Sequence, residues 1–182
     1  FDWVVPPDWN IKDAYIKNKF WDKIIDFLEN YLNVVSYSMP IETKIEKDEL
    51  LKKIYSLKKY PDLIPYRTSY YKKDWGFCCK DSLIQSRKFI GPFEVKIDST
   101  LDNNGKLDWL ECLKKGEKEE EILLSTYCCH PNLANDNLSG LIGAVLLFKY
   151  IESIPTKYSY RLIIVPETIG SICFLYQANI SK

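Results

Sequence analysis

An α/β fold, built on an open sheet with βαβ units and joined to a smaller β-rich domain, is what this sequence predicts. Three observations carry the prediction. Residues 122–127 and 160–166 are mostly apolar runs of strand length, as in a sheet covered on both faces. Residues 138–151 read as a helix between them, and 169–177 as another after them, so strand, helix, strand and helix alternate. Upstream, residues 93–99 alternate apolar and polar as a half-buried strand does, in a region dense in aromatics and turn formers.

The elements follow in order. Residues 19–31 place Phe20, Ile24, Phe27, Leu28 and Tyr31 on one face, which predicts a first helix. Residues 34–37 form a short strand. Residues 47–55 predict a second helix, with Leu50, Leu51 and Ile54 at three- and four-residue spacing. Pro61 and Pro65 make 60–65 a loop, and 67–75 is extended or turn-rich. Residues 81–86 make a helical turn. The strand at 93–99 enters a turn at 102–106, and 107–114 returns as its hairpin partner. The helix at 138–151 opens with Ser139, Gly140, Gly143 and Ala144, small residues that let backbones approach. A change of character near Gly116 sets a boundary between the smaller domain and the α/β part.

Composition narrows the function classes. The chain has 182 residues, with 46% hydrophobic and 27% charged, which suits a globular protein. Lys and Arg balance Asp and Glu at a formal net charge of zero, so no electrostatic footprint for nucleic acid is expected. No apolar run approaches the ~20 residues that span a bilayer, and no basic-then-apolar leader opens the chain. Membrane partners are therefore not expected either. Six cysteines include the adjacent pairs Cys78-Cys79 and Cys128-Cys129 without a C-x-x-C pattern, which predicts reduced thiols in a cytoplasm. The first residue is Phe1, not Met, so a piece of a longer product is expected.

Chemistry concentrates in two places. His130, the only histidine, follows the strand at 122–127, and Asp136 and Asn137 lie six and seven residues on. Glu167 follows the strand at 160–166. In open α/β sheets ligands bind beyond the carboxyl ends of the strands, so neighbouring strands would bring all three to one crevice. His130 would supply imidazole and Asp136 a carboxylate to a divalent ion. Glu167 would be a general base or a further ligand, and Asn137 would cap the helix or orient Asp136. Each residue also has a plainer reading: a structural loop histidine, an N-cap, and an acid in a helix's first turn. Cys128, two residues before His130, raises a thiol nucleophile as a rival, although a strand-end cysteine is more often a small apolar residue. In the aromatic segment 68–78, Tyr71 and Trp75 are the candidates for a substrate cleft, against the alternative that they are core. No Gly-rich phosphate loop or G-x-S-x-G elbow is present.

Cys129-His130-Pro131-x-x-Ala134-Asn135-Asp136-Asn137-Leu138-Ser139-Gly140, followed by Pro166-Glu167-Thr168-Ile169-Gly170-Ser171, resembles a group of bacterial aminopeptidase-like proteins related to the zinc-dependent aminopeptidases. Phe1-Asp2-Trp3, Trp9-Asn10-Ile11, Asp13-Ala14-Tyr15-Ile16, Thr68-Ser69-Tyr70-Tyr71 and Trp75-Gly76-Phe77-Cys78 resemble the same group. The resemblance implies a zinc-aminopeptidase-like open sheet, incomplete here, with a smaller β-rich domain inserted. Residues 1–32 would be the N-terminal part of the core, 33–116 the inserted domain, and 117–182 the start of the α/β core with the metal site. It implies Asp136 as the metal-bridging aspartate, His130 as the first histidine ligand and Glu167 as general base. Thr168 stands where those enzymes carry a second ligand glutamate, so one zinc ion is expected rather than two. Further ligands would lie downstream, so the chain alone is expected to have little or no peptidase activity. The open sheet edge would invite self-association. The expected function is part of a zinc-dependent aminopeptidase-like hydrolase acting on a peptide or related amide; the alternative is a binding or structural protein that keeps the peptidase fold.

Overall fold

A computed structural model of the chain describes residues 5–130 and 134–177. The motif residues Phe1, Asp2, Trp3 and Pro131 lie outside the described residues. The described chain divides into two compact units, with the division after Gly105.

The first unit, residues 6–105, is organised by a four-stranded antiparallel sheet. Its strands are β1 (Asp8–Lys17), β2 (Lys23–Asp26), β3 (Ile41–Ile45) and β6 (Phe93–Asp102), in the order β2-β1-β6-β3. The predicted alternation of β6 holds: Phe93, Val95, Ile97 and Ser99 are buried, while Glu94, Lys96 and Asp98 are half-buried. Opposite it, Ala14 and Ile16 of β1 face Ile97 and Val95. These residues, with Ile25, Leu50, Phe77 and Phe89, make the core. On the other face Lys17 pairs with its cross-strand neighbour Glu94 at 3.0 Å. Two short helices, α1 (Lys47–Leu51) and α2 (Asp81–Ile84), and a two-stranded parallel sheet of β4 (Ile54–Tyr55) with β5 (Phe77–Cys78) complete the unit.

The helix expected over 19–31 does not form. Asn18 accepts hydrogen bonds from the backbone N–H groups of Phe20 and Asp22, and Trp21 takes a left-handed φ of 69°. Asp26 and Asn30 accept in the same way from Leu28 and Leu32. Three short polar side chains thus offer the backbone local partners that compete with a helix. The strand pairing then buries Ile25 and leaves Phe20 and Leu28 exposed. Residues 34–37 contribute only isolated bridges, from Val34 to Phe77 and Ser36 to Thr68. The helix predicted over 47–55 stops at Leu51 and gives way to β4.

In the second unit a three-stranded sheet takes the order β7-β9-β8, with β7 (Leu110–Lys114), β8 (Glu121–Tyr127) and β9 (Ser159–Val165). β8 and β9 run parallel as neighbours with α3 (Ser139–Glu152) between them in sequence, so the predicted βαβ unit is present. α4 (Ile169–Gln177) follows β9. Lys114 caps the C-terminal end of α3, donating to the carbonyls of Ile151 at 2.6 Å and of Ile154.

Two further expectations are corrected here. Residues 107–114 do not return against β6: β7 pairs antiparallel with β9, Cys112 opposite Leu162. Arg161 on the central strand fixes this arrangement, bonding Glu111 of β7 and both carboxylate oxygens of Glu121 of β8. β8 is not covered on both faces among the described residues. It is an edge strand, with Ile122 38% and Leu123 41% exposed, whereas the central β9 buries Leu162, Ile163 and Val165. β1 pairs along most of its length with β6, which ties residues 8–32 to 33–105. Residues 106–116 belong with the α/β part, because β7 lies in its sheet.

Candidate metal centre

The site is built where β8 and β9 end. The two strands are parallel and in register, Tyr127 opposite Val165, so their carboxyl ends stop side by side. Cys128 extends the ladder by one bond, its N–H donating to the carbonyl of Val165 at 3.1 Å. Beyond that point the chains diverge, and the crevice holds Cys129 and His130 from one strand and Glu167 from the other. The Glu167 N–H donates to the Cys129 Sγ at 3.4 Å. One ligand atom each of Cys129, His130 and Glu167 lies within 4.8 Å of the others.

His130 is the hub. Its Nε2 lies 3.7 Å from Glu167 Oε2 and its Nδ1 3.9 Å from Asp136 Oδ1. The three residues singled out in the sequence are thus brought together. They do not sit around one point: Glu167 and Asp136 address opposite nitrogens of the same ring. An imidazole gives one nitrogen to a metal and usually donates the proton on the other to a carboxylate or carbonyl. A metal at Nε2 could use Glu167 and Cys129, with Asp136 receiving the Nδ1 proton. Cys129 was missed as a ligand candidate in the sequence, where a strand-end cysteine reads as apolar filler. The available signal was its position directly before the only histidine.

Tyr127 is a second residue the sequence did not single out. Its hydroxyl donates to Asp136 Oδ1, and its ring meets His130 edge-on with centroids 6.4 Å apart. The hydrogen bond to Asp136, with burial adding to it, pushes the phenol up to about 12, so Tyr127 remains a donor at neutral pH. Burial raises the Cys129 thiol. The Glu167 N–H opposes the shift, and the nearby negative charges add to it. A cation in the crevice would act the other way, since a coordinating thiol is deprotonated.

Asn137 is held through its side chain. Its side-chain amide donates to Thr126 Oγ1 at 2.9 Å and to the Tyr127 carbonyl at 3.2 Å, tying the loop to the end of β8. The helix begins only at Ser139, with no side-chain cap, and the backbone at Asp136 and Asn137 is non-helical. A Cβ on Gly140 would overlap Asn137 Oδ1 and lie 2.9 Å from its Cγ, so glycine there makes room for this amide. Thr168, directly after Glu167, holds a left-handed φ of 57°, uncommon for a β-branched residue. Tyr71 and Trp75 both line a cavity of about 300 Å³ in the first unit. Trp75 packs on the core as well, whereas Tyr71 is 75% exposed.

A mixed α/β chain with several sheets and a His-Cys-Glu crevice at adjacent strand ends is the class of protein defined so far. Comparison with solved structures agrees at that level. The chain is similar to a crystal structure from Clostridium acetobutylicum titled a "putative peptidase", at a TM-score of 0.92 and 46% identity over 98% of this chain and 42% of that one. It is also 49% identical, over 179 residues, to a Clostridium acetobutylicum protein named "Putative polysaccharide biosynthesis protein with aminopeptidase-like domain". The chain spans 40% of that relative's length. Residues 8–100 match the model of a domain of unknown function, DUF2172, and the chain belongs to that family.

Proposed function

We propose that the second unit carries part of a zinc-dependent amide-hydrolase site of the aminopeptidase kind. The observation that supports this best is the convergence of Cys129, His130 and Glu167 where two parallel strands end. Thiolate, imidazole and carboxylate are the donors zinc takes. Ligand atoms ~2.0–2.3 Å from a tetrahedral ion lie roughly 3.3–3.8 Å apart; His130 Nε2 and Glu167 Oε2 already stand 3.7 Å apart, and all three ligand atoms lie within 4.8 Å of one another. The names of both relatives support a peptidase-like role, which for the whole protein is part of the proposal.

His130 and Cys129 would hold one zinc ion, with Asp136 as the acceptor that orients the imidazole or, at Nδ1, as a ligand in its own right. When bound, zinc supplies Lewis acidity toward an amide carbonyl and toward water. With His130 and Cys129 as the ligands, Glu167 would be left as the carboxylate able to take a proton from water and to pass one to a leaving amine. Tyr127, kept protonated, holds the Asp136 carboxylate in place. The second reading, a binding protein without turnover, draws on Thr168, which offers no carboxylate where a second ligand glutamate is expected. All six cysteines are free, which supports a reducing compartment such as the cytoplasm. No helix among the described residues is long and apolar enough to cross a membrane.

Cobalt substitution tests the site directly. Co(II) added to the purified chain should give the near-ultraviolet charge-transfer absorption of a cobalt–thiolate bond, and Cys129→Ser should abolish it. His130→Ala should remove stoichiometric zinc uptake measured by metal analysis. A wild-type chain that binds neither ion at equimolar concentration would overturn the proposal.

A further inference from the structure

We infer that the cavity of the first unit is a binding site for an anionic sugar ring, separate from the metal centre. The cavity measures about 300 Å³, at the small end of the ~300–1,000 Å³ typical of small-molecule sites. That volume suits one ring rather than a long chain. Tyr55, Tyr70, Tyr71 and Trp75 give it aromatic walls, and Thr68 and Ser69 line it as well, the Ser69 hydroxyl donating to the Ser36 carbonyl at 3.2 Å. Aromatic faces with polar groups at their edges match a pyranose, which has apolar C–H faces and a rim of hydroxyls.

The charges decide which sugar. The cavity has one carboxylate in its lining, Asp74, and that group is already engaged. Lys53 pairs with it, and the Trp75 N–H donates to it at 2.8 Å. Together they hold its carboxyl below the usual carboxylate range, Lys53 most strongly. Arg67 and Lys72 also line the cavity and are exposed. Arg67 stacks over Tyr55, its Cζ 5.3 Å from the ring centroid. Among the described residues neither cation makes an ion pair within 4.0 Å. Lys72 adds its charge to the field on Asp74, which leaves Arg67 as the cation of the lining with no carboxylate within 4.0 Å among the described residues, beside the stacking surfaces. Arg67 offers a planar fork suited to a carboxylate or phosphate, and its stacking on Tyr55 holds it ready. An acidic ring in the cavity would find Arg67 and the aromatic side chains in the same lining. A neutral sugar would leave the Arg67 guanidinium unused.

The arrangement owes nothing to His130, Cys129 or Glu167, so it stands or falls independently of the zinc proposal. The test uses the full chain and three probes: a galacturonic acid disaccharide, glucose 1-phosphate and the neutral disaccharide maltose. Trp75 in the lining makes quenching of tryptophan fluorescence a suitable readout, checked by calorimetry. Saturable binding of either anionic probe, at least tenfold tighter than maltose and weakened by added salt, is the expected result. The disaccharide binding tighter would identify a carboxylate ring, and glucose 1-phosphate a phosphorylated one. Arg67→Met should weaken binding tenfold or more, and Tyr71→Ala several-fold, with unchanged circular dichroism. Binding of neither anionic probe at millimolar concentration, or equal binding of maltose with no effect of Arg67→Met, would overturn the inference.

Discussion

Gly140→Ala is the sharpest probe of how the loop of the candidate site is held. A methyl group there overlaps Asn137 Oδ1 and lies 2.9 Å from Cγ and 3.0 Å from Nδ2. The amide cannot simply retreat, because two hydrogen bonds, at 2.9 and 3.2 Å, pin it to Thr126 and Tyr127. Displacing it forfeits both, at about 0.5–1.5 kcal/mol each. Alanine in place of glycine in a helix returns up to about 1 kcal/mol. The net expectation is a destabilisation of about 1 kcal/mol, with zinc uptake weakened because His130 and Asp136 flank the displaced segment. In an Asn137→Ala background the clash is gone, and Gly140→Ala should be neutral or stabilising. Urea unfolding of the four proteins, followed by circular dichroism, gives a coupling energy of about 1–3 kcal/mol. If Gly140→Ala stabilises the chain equally in both backgrounds, the packing of Asn137 against Gly140 is not what holds the loop.

Two further predictions concern the two units separately. Lys53→Met should cost about 1 kcal/mol at pH 7, because the Lys53–Asp74 pair is only partly exposed. Asp74 has a folded pKa below its unfolded value, so its contribution is present above about pH 4 and lost as pH falls through the folded value. The difference between wild type and Lys53→Met in urea unfolding should therefore shrink toward zero in strong acid; a constant difference would exclude the ion pair as its cause. Thr168→Gly relieves a left-handed β-branched residue and should stabilise the second unit by about 1 kcal/mol. A loss of stability in thermal unfolding would mean that the threonine side chain contributes more than its backbone costs.

Local pattern was legible wherever one physical term dominated. The alternation of residues 93–99 announced β6, because burying one face of a strand admits little else. The apolar runs and the small-residue start between them announced β8, α3 and β9. The failures came where terms competed. Residues 19–31 carry a helical apolar face, but Asn18, Asp26 and Asn30 satisfy the backbone locally, and pairing with β1 buries Ile25. The strand expected over 107–114 forms at Leu110–Lys114, but its partner is β9 rather than β6. Pairing between strands is a long-range choice, set here by Arg161 reaching Glu111 and Glu121.

For the candidate site, the sequence by itself determined the donors: one histidine, an Asp-Asn pair and a glutamate, each at the end of an apolar strand or the start of a helix. It also determined that they fall at strand carboxyl ends, since that follows from the order of elements. Only the tertiary structure decided the geometry. The register of β8 against β9 set Cys129 beside Glu167, and the loop back to α3 set Asp136 on the far nitrogen of His130. The physical reason is that ligand sets are defined by distances of a few ångströms across separate strands. A sequence carries residue types and local periodicity, whereas register and loop path arise from packing and long-range hydrogen bonds.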